Sequence, residues 1–104
     1  MITVKKGDTL AFIVKRMDKN GNPLAGDAAK LRSQLRNSKD VLIAEMVITE
    51  TEIPGSYLFQ VSATITATMD VGNYVFDIQY KDGDLVKSSE TFQVRIEKDV
   101  TRDA

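Results

Sequence analysis

The sequence predicts an all-β fold, an antiparallel β-sandwich of seven or eight short strands. Three observations carry this. Apolar and polar residues alternate over stretch after stretch, the period of a half-buried strand. Clusters of Gly, Pro, Asn and Asp separate those stretches at the spacing of a sandwich. The third is Asp70-Val71-Gly72-Asn73-Tyr74-Val75-Phe76, which opens an alternating run of Tyr74, Phe76, Ile78 and Tyr80. This is the pattern of the tyrosine corner in immunoglobulin-like sandwiches. There a Tyr near the start of strand F hydrogen-bonds to backbone a few residues upstream, and a Cys follows two positions later. Asp70, Gly72 and Tyr74 are therefore the expected structural corner. Phe76 stands where the Cys would be, and the chain contains no Cys. The predicted sandwich is immunoglobulin-like and tied by packing, with no disulfide.

The elements follow in order. Ile2 to Lys5 reads as a short strand ended by Gly7-Asp8. Thr9 to Met17 reads as a longer one, with Leu10, Phe12 and Val14 on one face and Ile13 opposed. The run Asp18-Lys19-Asn20-Gly21-Asn22-Pro23 is a turn centred on Asn20 and Gly21. Leu24 to Ala29 is a small-residue stretch expected to cross between sheets. Lys30 to Asn37 alternates, with Leu31, Ser33 and Leu35 inward and Lys30, Arg32, Gln34 and Arg36 outward. Good helix formers at its start allow a helix there, but Leu31 and Leu35 alone make a narrow helical stripe, so strand is preferred. After the turn Asn37 to Asp40, the β-branched run Val41 to Thr49 reads as a well-buried strand.

Pro54-Gly55 is a second turn, with Pro suited to its second position and Gly to its third. Ser56 to Ser62 then alternates Tyr57, Phe59 and Val61. Ala63 to Met69 alternates like a strand, yet its place before the Tyr74 corner suits a crossing loop with a helical turn. Tyr74 to Lys81 and Leu85 to Lys98 are predicted strands around a hairpin whose centre is Asp82-Gly83. Residues 1–98 form the expected single domain, and 99–104 a polar tail. Gly55-Ser56-Tyr57-Leu58-Phe59 echoes Gly72-Asn73-Tyr74-Val75-Phe76. In each, a turn Gly precedes an aromatic-led strand.

Composition narrows the chemistry. With 104 residues and 42% hydrophobic content, the chain can bury a core, roughly 65% of its unfolded surface. It has 14 basic and 15 acidic residues, a formal charge of -1. That balance creates no long-range field toward nucleic acid or an anionic membrane, so neither is an expected partner. Zero Cys and zero His remove thiolate nucleophiles, Cys/His zinc sites and histidine acid–base chemistry. The lack of Cys fits synthesis in a reducing cytosol. The apolar run Leu10 to Val14 is too short for a signal-peptide core, and nothing approaches a membrane span.

The candidate sites each have a plainer reading. Asp18-x-Asn20-Gly21-Asn22 faintly resembles a calcium loop, but Gly is fourth instead of sixth and Ala29 holds the twelfth position, where a Glu is needed. It reads as a turn. Asp77, Asp82 and Asp84 could gather oxygen ligands near the hairpin, though no metal or other cofactor is expected. Glu50 and Glu52 share one face of an extended strand, a pairing that glycoside hydrolysis could use. They sit at a strand end before Pro54-Gly55, so a solvated edge guarded against foreign pairing is expected, and no catalytic residue is assigned. Lys30, Arg32 and Arg36 form a basic stripe without the interleaved aromatics that single-stranded nucleic acid requires. Thr64, Thr66 and Thr68 form a short threonine row.

The landmarks taken together resemble the small β-sandwich domains of tailed-phage virion proteins. The nearest likeness is the N-terminal domain family of baseplate upper proteins in phages of Gram-positive bacteria. The matching residues are Gly7-Asp8-Thr9, Asn20-Gly21-Asn22-Pro23-Leu24, Ile53-Pro54-Gly55-Ser56-Tyr57, Met69 to Gln79, and Asp99-Val100-Thr101-Arg102. The resemblance implies a non-enzymatic phage or prophage structural protein, a tail or baseplate component. It would be made in the bacterial host cytoplasm and incorporated in the virion. Its implied partners are other phage structural proteins and further copies of itself in a homo-oligomer. A carbohydrate or cell-surface binding module is the alternative, with Tyr57, Tyr74 and Tyr80 as stacking groups.

Overall fold

A computed structural model describes residues 2–98 of the chain. The fold is all-β, as the alternation predicts. Among the described residues the strands are β1 Ile2–Lys5, β2 Leu10–Lys15, β3 Leu31–Arg32, β4 Gln34–Asn37, β5 Leu42–Glu45 and β6 Val47–Glu50. They continue with β7 Ser56–Val61, β8 Gly72–Phe76, β9 Gln79–Asp82, β10 Leu85–Ser88 and β11 Phe92–Glu97. A 3-10 turn at Ala28–Lys30 and one helical turn, α1 Ala63–Thr66, complete the regular structure. The predicted tail 99–104, with its Asp99-Val100-Thr101-Arg102 motif, lies outside the described residues.

The sheet orders are β1-β11-β8-β4-β5, β2-β7-β6 and β10-β9-β3. All but one of the pairings are antiparallel. The exception is β1 beside β11, with Ile2 opposite Val94 and Lys5 opposite Glu97. This corrects the expectation of a wholly antiparallel structure. The strand after β1 joins a different sheet, so no hairpin dictates the direction of β1.

Eleven strands replace the expected seven or eight because four predicted runs break. Lys30 to Asn37 divides at Ser33, whose hydroxyl donates to the Asp77 carbonyl at 2.6 Å. Tyr74 to Lys81 divides opposite it, at Asp77-Ile78, and Leu85 to Lys98 divides at residues 89–91. Val41 to Thr49 divides at Met46, where the chain leaves the five-stranded sheet for the three-stranded one. This run is also less buried than predicted. Ala44 and Met46 are inside, but Val41, Leu42 and Val47 are exposed. β5 and β6 are outer strands of their sheets, where one face looks into water.

The turns behave as their residues demand. Asp18 Oδ1 accepts from the amides of Asn20 and Asn22 at 2.8 and 2.9 Å, and the Gly21 amide donates to the Asp18 carbonyl. Pro54-Gly55 lies in a turn closed by the Ser56 amide donating to the Ile53 carbonyl. Gly55 has φ 80°, and a Cβ there would lie 2.8 Å from the Arg16 carbonyl oxygen and from Pro23 Cβ. The β9–β10 hairpin shifts by one residue from the expected Asp82-Gly83 centre. Asp82 pairs with Leu85, so the loop is Gly83-Asp84. Gly83 alone of the two has positive φ, 59°, which suits the tight hairpin turn that places Gly first. Ala63 to Met69 takes the helical option, with Ser62 Oγ accepting from the Ile65 amide to cap α1.

The four phenylalanines stack as one chain of rings. Phe59 lies 5.4 Å from Phe12, Phe12 lies 5.1 Å from Phe76, and Phe76 lies 5.2 Å from Phe92. Phe12 and Phe59 belong to the β2-β7-β6 sheet, Phe76 and Phe92 to the five-stranded one. Phe76 thus makes an aromatic contact between sheets through Phe12. Such ring pairs add about 0.5–1.5 kcal/mol each beyond the area they bury.

Candidate functional site

Two tyrosines turn out to be backbone tethers. Tyr74, in β8, donates its hydroxyl to the Asp70 carbonyl at 2.6 Å, the corner that the sequence predicts. Burial away from water pushes its phenol pKa upward. Gly72 begins β8 opposite Ile96. Tyr57, fully buried in β7, donates to the Leu24 carbonyl at 2.6 Å and accepts from the Asp27 amide at 3.1 Å. It pins the whole crossing segment between β2 and β3. Sequence reading missed this second tether, although the Gly-x-Tyr-x-Phe echo was its signal. Thr66 is a third tether: fully buried, it donates to the Asp8 carbonyl at 2.6 Å. The helical turn therefore dissolves the expected threonine row.

A second feature that sequence reading missed is the cluster around Arg16. This residue follows β2, and its guanidinium donates to Asp27 Oδ2 at 2.6 Å. It also lies over the Tyr80 ring, 4.6 Å from the centroid, a cation–π contact. Beside it opens a hollow of about 480 Å³, walled by Val14, Leu24, Leu31, Ile78 and Lys87. Arg16 covers one face of the Tyr80 ring, while Tyr57 and Tyr74 are buried.

The predicted charged groups are partnered within the fold. Arg32 pairs with Glu45 through its Nε, and this holds the Glu45 carboxyl below its usual range. Lys30 reaches Asp82 at 3.4 Å, which raises its pKa. Arg36 lies 3.9 Å from Asp40. Each member of the basic stripe thus has an acidic neighbour, Glu45 in β5, Asp82 in β9 and Asp40 in the turn after β4. Glu50 Oε1 accepts from the Gly26 amide at 2.6 Å, while Glu52 is exposed beyond the strand end. Asp18 is held ionised by the Asn22 amide and its neighbours, which lower its pKa, so its oxygens serve the turn. Among the described residues, no group of three or more acidic side chains converges as a metal site would require.

Large exposed apolar side chains stand both in loops, as at Met17, Ile53 and Val71, and on the outer strands. Leu42 of β5, Val47 of β6, Leu85 and Val86 of β10, and Ile13 of β2 are each about half exposed or more (46% to 60%). Searches of known protein families and of characterised proteins find no match to this chain.

Proposed function

We propose that this chain is an immunoglobulin-like, non-enzymatic module that assembles into a phage or prophage tail or baseplate through protein–protein contacts. The observation that carries the reading is the set of half-exposed apolar side chains on the outer strands β2, β5, β6 and β10. Large apolar groups at sheet edges are places where another protein gains by covering them. The pairing order supports the immunoglobulin frame. In that reading β6, β7 and β2 would correspond to strands D, E and B, and β5, β4, β8 and β11 to C′, C, F and G. The Tyr74 corner falls near the start of the F strand, as that frame requires. The phage context comes from the ordered motif set. Its structural residues are the Asn20-Gly21 and Pro54-Gly55 turns and the Tyr57 and Tyr74 strands.

Light scattering on the purified protein and mass spectrometry of purified virions test the reading. A symmetric oligomer and the chain's presence in particles are expected. A strict monomer absent from particles would refute it.

A further inference from the structure

β2 is the outer strand of its sheet. Among the described residues, Leu10–Lys15 pair with β7 alone, and no other backbone partner meets the opposite edge. In the immunoglobulin frame strand A covers that edge of strand B. Here β1 pairs with β11 instead. The uncovered edge overlooks a hollow of about 350 Å³ whose lining is almost wholly apolar: Ile2, Phe12, Val14, Phe76, Ile78 and Phe92. This hollow adjoins the one beside Arg16, since Val14 and Ile78 line both. Together they form a trough that runs along β2. It ends at Arg16 and Lys87, and Lys87 has no acidic partner among the described residues.

An unpaired strand edge beside an apolar trough is the geometry of β-strand addition, in which main-chain hydrogen bonds give affinity and alternate side chains fill pockets. We propose that β2 accepts an extended segment of another protein, laid antiparallel. Its alternate apolar side chains enter the trough, and a carboxylate at its N-terminal end meets Lys87. This rests on the reading of the chain as an assembly module and names the chemistry of one partner. A second copy is disfavoured as donor. Among the described residues its apolar alternating segments are already paired in its own sheets.

The probe is a synthetic peptide, acetyl-Asp-Thr-Val-Thr-Val-Thr-Val-amide, which puts the carboxylate on the same face as the valines, titrated into the full chain with amide exchange followed by NMR. The amides of 10–15 that point away from β7 should gain protection, and Ile2, Phe92 and Ser88 should shift. Lys87→Glu should weaken the acidic peptide about threefold, the effect of an exposed ion pair, and strengthen a lysine-ended peptide by a similar factor. Protection arising on β5, β6 or β10 instead, or no change at millimolar peptide, would overturn the site. Concentration-dependent self-association that protects β2 without peptide would overturn the choice of donor. Peptide binding at β2 by a chain absent from virions would retire the phage reading and leave the strand site standing. A virion component that ignores the peptide would do the reverse.

Discussion

Tyr57→Phe is the sharpest test of how this β fold is held together. The change leaves the ring in place and removes one hydroxyl. That hydroxyl serves the Leu24 carbonyl at 2.6 Å and the Asp27 amide at 3.1 Å. Both partners are half-buried, so water replaces the lost bonds only in part. A hydrogen bond lost in that setting costs about 1–1.5 kcal/mol, so the two together cost about 2–3 kcal/mol. Tyr74→Phe strands one partner, the Asp70 carbonyl, and should cost about 1–1.5 kcal/mol. The two tethers hold different segments, so the double variant should lose close to the sum. Urea titration gives each value, and thermal melting should show Tyr57→Phe down by roughly 10–20 °C. If Tyr57→Phe loses no more than Tyr74→Phe, the crossing segment is not held by that hydroxyl.

Three further outcomes follow from the same structure. Thr66→Val keeps shape but leaves the Asp8 carbonyl without its 2.6 Å donor, so a loss of about 1–2 kcal/mol is expected by denaturant titration. Gly55→Ala combines a positive φ with a Cβ placed 2.8 Å from Arg16 O and Pro23 Cβ. It should cost about 2–4 kcal/mol, whereas Gly83→Ala, also at positive φ but with open space around it, should cost about 1 kcal/mol. Asp18 and Glu45 have pKa values lowered in the folded state. Their contribution is present above the unfolded carboxylate pKa and is lost as pH falls through the folded values. Stability should therefore drop on acidification below about pH 4. The double variant Asp18→Asn, Glu45→Gln should decline less steeply in melts taken across that range.

Features whose cause is local were legible in the chain itself. Alternation gave the all-β class because side chains on a strand change face at every residue. Asn20-Gly21 and Pro54-Gly55 were readable because a turn depends on the φ of its own residues. The Tyr74 corner was readable because its acceptor, Asp70, lies four residues upstream. The single-strand reading of Val41 to Thr49 failed because nothing in its β-branched pattern marks Met46 as the point of sheet exchange. At that point the Met46 amide donates to the carbonyl of Ser33, the break between β3 and β4, a partner distant in sequence. Tyr57 looked like any core aromatic because its partners lie 30 and 33 residues away.

The amino-acid sequence by itself therefore determined the strands' period, the principal turns and the absence of thiol and imidazole chemistry, each a property of neighbours along the chain. Tertiary structure alone decided that β1 runs parallel to β11, that Phe76 meets Phe12 across the sheets, and that Arg16 lies between Asp27 and Tyr80. It also decided which edges stay open, above all that of β2. Each of these is a contact between segments far apart in sequence, and such contacts exist only once the sheets have packed.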